Sequence, residues 1–185
     1  IARGDEIFSL RSGEFLDSSK RKEDGEYPVY GGNGIMGYTD QSRVPEGIVV
    51  IGRVGAYCGN VHITESRAWV TDNAILVEDL STGMKPGFLV HVLDEVGLNR
   101  FAEQSAQPRI SQSTLRNLKL PIPPQEEQEK IVGSLSTIRE ARENEKELHE
   151  LLRSLKKGLM PDLLTGDVRT ADKAIEVLEE VQAHG

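Results

Sequence analysis

With 185 residues the chain can hold one globular domain and an appendage, and its 37% hydrophobic and 28% charged content suits a soluble globular protein with one strongly charged segment. No apolar run approaches the roughly 18 residues of a membrane span, and the single cysteine, Cys58, excludes an internal disulfide and points to a reducing, cytoplasmic setting. The net charge of −8, acidic both before and after Pro124, excludes a broadly basic surface; any surface for a polyanion must be a local patch, and binding by the chain alone should be weak.

The opening IARGDEIF lacks the apolar stretch of a secretory signal and has no initiating Met, so the chain is read as trimmed. Residues 1–123 are rich in glycine and in short β-type runs. Strands are expected at 27–30, 35–38, 47–51, 58–63 and 74–77, punctuated by Gly, Asn and Pro. Within YPVYGGNGIMGY, Gly32, Gly34 and Gly37 spell GxGxxG. A dinucleotide site needs a helix opening on those glycines and an acid about twenty residues on. Here a second strand-like run follows, and the acid is missing. Gly31-Gly32-Asn33-Gly34 therefore reads as a hairpin turn, in which Asn and Gly accept positive φ. Such a turn, flanked by Tyr30 and Tyr38, is either plain structure or a tip that presents N–H groups and an Asn amide to a ligand.

Two short helices are expected near 88–95 and 99–105, which completes a mixed, β-centred domain. Pro121-Ile122-Pro123-Pro124 is a rigid junction, and proline suits the first turn of a helix. The segment 124–160 then reads as one helix, with Glu126, Glu127 and Glu129 at its start and Arg153, Lys156 and Lys157 at its end, as the helix dipole prefers. About 35 helical residues span roughly 50 Å, too long for a small domain to cover. Ile131, Leu135, Ile138, Ala141, Leu148, Leu152, Leu155 and Leu159 follow a near-heptad rhythm, a coiled-coil seam with a phase break at Leu135–Ile138–Ala141 and Glu145 in its middle. Pro161 should kink or end the helix, with Gly166 as a stop, and 161–185 forms a tail with a short amphipathic helix through Ile175, Leu178 and Val181. The fold class is thus α+β.

No nucleophile elbow, HExxH or P-loop occurs, and PIPPQ lacks the flanking residues of an adenine-methylating NPPY-type motif. His62, His91, His149 and His184 show no ligand spacing, so no metal site is expected.

Five stretches in order, YPVYGGNGIMGY, IVVIGRVGAYCGNVHI, AWVTDNAILV, SAQPRISQSTLRNLKLPIPPQEEQEKIV and LKKGLMPDLLTGDVRT, resemble the specificity subunit of type I restriction–modification enzymes across nearly all of 1–170. The resemblance implies a DNA target recognition domain followed by a long spacer helix. It implies double-stranded DNA, a methyltransferase subunit using S-adenosylmethionine, and a nuclease and translocase subunit using ATP and Mg as partners, with no cofactor in this chain. A full subunit carries two recognition domains and two long helices. One of each is present here, which suggests a half-subunit completed as a homodimer through the seam. Where that family commonly has a glutamine near Pro161, this chain does not.

On that basis several residues are candidates for DNA contact. Lys20, Arg21 and Lys22 form the one tri-basic run, with a solvated loop as the other reading. Arg53 lies between Gly52 and Val54-Gly55, where the glycines allow close backbone approach. Arg109 sits in a polar loop with Gln107, Ser111 and Gln112, which either reads bases or caps a helix beginning near Thr114. Tyr30, Gly32 and Asn33 complete the set. Trp69 and Tyr57 are expected in the core, with stacking platforms for bases as the other reading. Two other functions stay open: a coiled-coil scaffold whose globular head binds protein, and a small-molecule enzyme using the glycine turn.

Overall fold

The computed structural model describes residues 1–165, apart from Thr82, Gln104 and the side chain of Asp162. The expected stop at Gly166 and tail helix through Ile175, Leu178 and Val181 lie outside the described residues. The chain divides into two compact units, Ile1–Gly133 and a second that starts at Ser134. The elements run β1 (Ala2–Arg3), α1 (Gly4–Ile7), β2 (Ser9–Ser12), β3 (Tyr27–Gly31), β4 (Gly34–Thr39), β5 (Val49–Gly52), β6 (Val61–Ile63), β7 (Trp69–Val70), β8 (Ala74–Glu78), α2 (Pro86–Val96), α3 (Gln112–Arg116), β9 (Lys119–Leu120) and α4 (Gln125–Thr165), with 3-10 turns at Ser18–Lys20 and Leu98–Phe101.

The first unit is built on an antiparallel sheet ordered β2-β8-β5-β6. Its central strands read as unbroken apolar runs because both faces are covered. Val49 and Ile51 pair with Val77 and Ile75, and these four join Leu10, Phe88, Leu89, Leu93 and Leu115 in a core beneath the helices. Val50 and Leu76, paired on the opposite face, join Tyr30, Val44, Ala68 and Val70. That second core seats a three-stranded sheet, β4-β3-β7, in which β3 and β7 run parallel. Each fully buried Val, Ile or Leu contributes about 1.5–3 kcal/mol, so the β5–β8 pair is the backbone of the fold's stability.

The expected strands appear within a few residues of their predicted ends. The two-residue strands β1, β7 and β9 and the four-residue β2 have too few positions for an alternation to show. α2 is longer than predicted, opened by Pro86 and stopped by Gly97 at φ 64°. The helix expected at 99–105 reduces to the turn Leu98–Phe101, because the chain is already extended at Glu103, which pairs with Arg109.

α4 starts at Gln125, and the Glu127 and Gln128 N–H groups bond the Pro124 carbonyl. Its first turns belong to the first unit: Ile131 and Val132 pack on the larger core. Pro161 does not end the helix, which runs on to Thr165. A proline deletes one intrahelical bond but leaves the later ones intact, and the Thr165 hydroxyl bonds the Pro161 carbonyl at 2.9 Å. Arg153, Lys156 and Lys157 consequently lie inside the helix and not in its last turn.

Candidate nucleic-acid interface

The glycine cluster is a hairpin. β3 and β4 pair antiparallel, with Tyr30 opposite Ile35 and Gly31 opposite Gly34. No helix follows the glycines, which removes the dinucleotide reading. The positive φ falls on Gly34, at 86°, and on Gly37, at 145°, but not on Asn33. Gly52, at the end of β5, is a glycine of necessity: a Cβ there would lie 2.3 Å from the Tyr57 carbonyl oxygen and 2.6 Å from that of Gly32. The turn thus docks backbone-to-backbone on the end of the central sheet.

Beside the docked turn opens a cavity of about 240 Å³, lined by Gly32, Asn33, Met36, Val54, Tyr57 and Asn73 among others. Tyr57, expected in the core, is 51% exposed here because it lies in the loop after β5, beyond the reach of either core. Trp69 is buried as expected, its indole N–H donating to the Glu14 carbonyl. Tyr30 is a correction: it is 3% exposed, within the second core, and burial raises its hydroxyl pKa. Its ring faces inward because β3 is covered on that side, which leaves it almost no surface to offer a ligand.

Arg53, Arg109, Ser111 and Gln112 come together at the same end of the sheet. The Arg53 N–H bonds the Asn73 carbonyl, and the Arg53 carbonyl accepts from Ile110 N–H, each at 2.9 Å. Val54 pairs with Arg109 in a bridge. Arg53 Nη1 and Gln112 Nε2 both donate to the Ser12 hydroxyl, at 3.3 and 3.4 Å. Arg116 donates in turn to the Gln112 carbonyl oxygen at 3.1 Å. Ser111 caps α3, its hydroxyl accepting from Thr114 N–H at 3.1 Å. The polar loop therefore does cap a helix, while Arg109 and Gln107 remain exposed at its outer side. Among the described residues neither Arg53 nor Arg109 forms an ion pair. Ser12 was invisible in the sequence as a shared acceptor, since nothing in LRSGEF marks it.

The tri-basic run lies elsewhere, along the edge of β4: Lys22 and Tyr38 exchange backbone bonds of 2.8 and 2.9 Å. Lys22 is salt-bridged to Asp40, which raises its pKa. Lys20 and Arg21 are exposed, and the Arg21 stem covers Gly37.

On α4, Leu135, Ile138, Leu148 and Leu152 are exposed, and Leu155 and Leu159 half-buried. Ile131 leaves the expected seam, since it packs on the larger core. Leu151, missed in the heptad reading, is 62% exposed beside Leu152.

The family described as type I restriction modification DNA specificity domain matches residues 2–153. This chain belongs to that family. It is 35% identical over 134 residues to the specificity subunit of the type I restriction enzyme EcoprrI of Escherichia coli, an alignment covering 70% of this chain and 33% of that protein. The fold is shared with a type I restriction–modification S subunit from M. genitalium, at TM-score 0.69 and 23% identity over 98% of this chain and 49% of that one. It is shared too with the HsdS subunit of Thermoanaerobacter tengcongensis, at TM-score 0.58 and 18% identity over 90% of this chain and 45% of that one. This specificity-family chain therefore spans about a third of the curated relative and about half of each solved subunit. No helix among its described residues is long and apolar enough to cross a membrane.

Proposed function

We propose that this chain selects the DNA sequence for a cytoplasmic type I restriction–modification complex and carries no catalysis itself. A methyltransferase subunit flips and methylates an adenine with S-adenosylmethionine, and a nuclease and translocase subunit uses ATP and Mg to cut unmodified DNA. The observation that carries the reading is the end of the central sheet, where Arg53 and Gln112 converge on the Ser12 hydroxyl, Arg109 pairs with Val54, and the Gly32-Asn33 turn docks on Gly52. Arginine and the amides of Asn and Gln are the side chains that read guanine and adenine bidentately in the major groove. Lys20 and Arg21 then serve as phosphate contacts, and the partner subunits supply the rest, since a net charge of −8 allows little of its own.

The exposed Leu135, Ile138, Leu148 and Leu152 of α4, with the half-buried Leu155 and Leu159, support pairing with a second copy. An isologous pair has a twofold axis. Two identical readers so related recognise the same half-site on opposite strands, so the target is an inverted repeat with an unread spacer, as palindromic operators mirror their dimers. Methylome sequencing of the host with and without this gene tests the reading. Loss of one bipartite, inverted-repeat motif is expected. An unchanged methylome overturns the function, and a lost motif with two different half-sites overturns the symmetric pair.

A further inference from the structure

We propose that His62 is a positioning residue for DNA reading, holding the Gly32–Gly34 turn in the shape that meets the bases. The proposal rests on the turn being part of the DNA interface.

His62 lies at the centre of β6, opposite Val50. It therefore shares the face of the sheet on which Val50 meets the three-stranded sheet. A Cβ built on Gly34 would stand 3.3, 3.5 and 3.7 Å from the imidazole Cε1, Nδ1 and Nε2. The ring is thus packed against the one residue of the turn with φ of 86°, and glycine alone leaves it room. The Gly32 backbone also lies within reach of the imidazole and favours its charged form. From the loop just before β6, Asn60 Nδ2 donates to Asn33 Oδ1 at 3.4 Å. All three turn residues are therefore held from one short segment, and Gly52 closes on Gly32 from beneath.

This clamp fits a neutral ring. Nε2 is buried and has no hydrogen-bond partner. Protonation would place an N–H there with no acceptor and a charge where burial already lowers the pKa below its ordinary value. Asp94 from α2, by its charge, and the Gly32 backbone both act on the ring in the opposite sense, raising the pKa, and burial outweighs them. From the hairpin side the ring stands against Gly34. Because the folded pKa is depressed, the clamp is intact above the ordinary histidine range and is lost as pH falls through the folded value.

The test uses the full chain assembled with its methyltransferase subunit, and compares affinity for the methylated motif with affinity for scrambled DNA. In the wild type the preference for the motif should fall, by about tenfold once the ring is charged, as pH drops through the His62 midpoint read by NMR, below the ordinary histidine range; about tenfold is the worth of roughly one hydrogen bond. His62→Gln, which keeps a donor and cannot titrate, should hold a preference that is flat with pH. His62→Ala should lose about tenfold at neutral pH, with affinity for scrambled DNA unchanged. NMR on the chain alone adds a readout independent of DNA: the Gly32 and Gly34 amides should titrate with the midpoint of the His62 imidazole. Should the alanine variant fail to fold, the glutamine variant and the titration decide. Glycine amides that ignore the imidazole, or a glutamine variant with the wild-type pH profile, overturn the role of His62 while DNA selection stands. A wild-type complex with no sequence preference at neutral pH overturns both.

Discussion

Gln128 sits in the second turn of α4 and is 0% exposed. Its Oε1 accepts from Lys85 N–H at 2.9 Å, and its Nε2 donates to the carbonyls of Pro123, at 2.8 Å, and Gly83. The side chain so ties α4 to the junction before it and to the start of α2, whose N-cap Lys85 has no side-chain cap of its own. Replacing it with alanine leaves one N–H and two carbonyls without partners. A buried group left unsatisfied costs about 1–3 kcal/mol. Carbonyls with a second lone pair suffer least, and water can enter the space left, so the sum is set mainly by Lys85 N–H and comes to about 3 kcal/mol. For a domain of this size each kcal/mol moves Tm by about 2–4 °C, giving a drop of about 6–12 °C. Gln128→Glu should be worse at neutral pH, because an oxygen then faces two carbonyl oxygens and the carboxylate is buried. The introduced acid has a folded pKa raised by burial, so its deficit should shrink as pH falls and it protonates. Thermal unfolding followed by circular dichroism at about pH 7 and about pH 5 measures both effects. An alanine variant within about 1 kcal/mol of wild type would show that the three bonds add nothing net, and would refute the clamp.

Gly52→Ala drives a methyl into two backbone carbonyls, and should cost about 1–3 kcal/mol in urea unfolding; a variant as stable as wild type would mean that the turn does not dock on β5. Leu148, Leu152 and Leu155 changed together to Asp should halve the mass seen by light scattering, because unpaired buried charge costs several kcal/mol in a paired helix and far less on a free one; a wild type already monomeric at tens of micromolar removes the dimer. Arg109→Ala in the assembled complex should cost about 1–3 kcal/mol of DNA affinity and relax the motif at one position, read by methylome sequencing; a uniform loss across sequences would assign Arg109 to phosphate instead.

The hairpin and the long helix were legible because each has a local signal: turn glycines between β-type runs, and apolar steps of three and four. Gly34 and Gly37 were found as a motif, and the positive φ expected of the turn's Asn and Gly falls on Gly34 and not on Asn33, while Gly37, within β4, has one too. The docking of Gly52 on Gly32 was not legible, since it joins two glycines twenty positions apart through backbone contact alone. Gln128 was lost within QEEQEK, where a buried amide looks like one more solvated polar residue. Tyr30 and Tyr57 were each assigned the other's place. Composition treats the two rings alike, and only the course of the chain, β3 between two sheets and a loop beyond β5, separates them.

Net charge is a coarse guide for a related reason: it counts acids without asking which cation each one faces. Arg3 is paired with Asp5, Arg11 with Glu14 and Glu78, Lys22 with Asp40, Lys85 with Glu129 and Lys130 with Glu126. Exposed pairs of this kind contribute little to stability, but they cancel charge locally, and a phosphate approaching them meets a dipole. Among the described residues Lys20, Arg21, Arg53 and Arg109 have no such ion-pair partner. Coulombic attraction in water is screened within about 8–10 Å at physiological salt. A bound phosphate therefore responds to cations within that reach and not to acids farther away. Under the proposed function the acidic total and the DNA site do not conflict. The acids lower affinity for DNA of any sequence, and the guanidinium groups of Arg53 and Arg109, which have no ion-pair partner among the described residues, retain their attraction at the end of the central sheet.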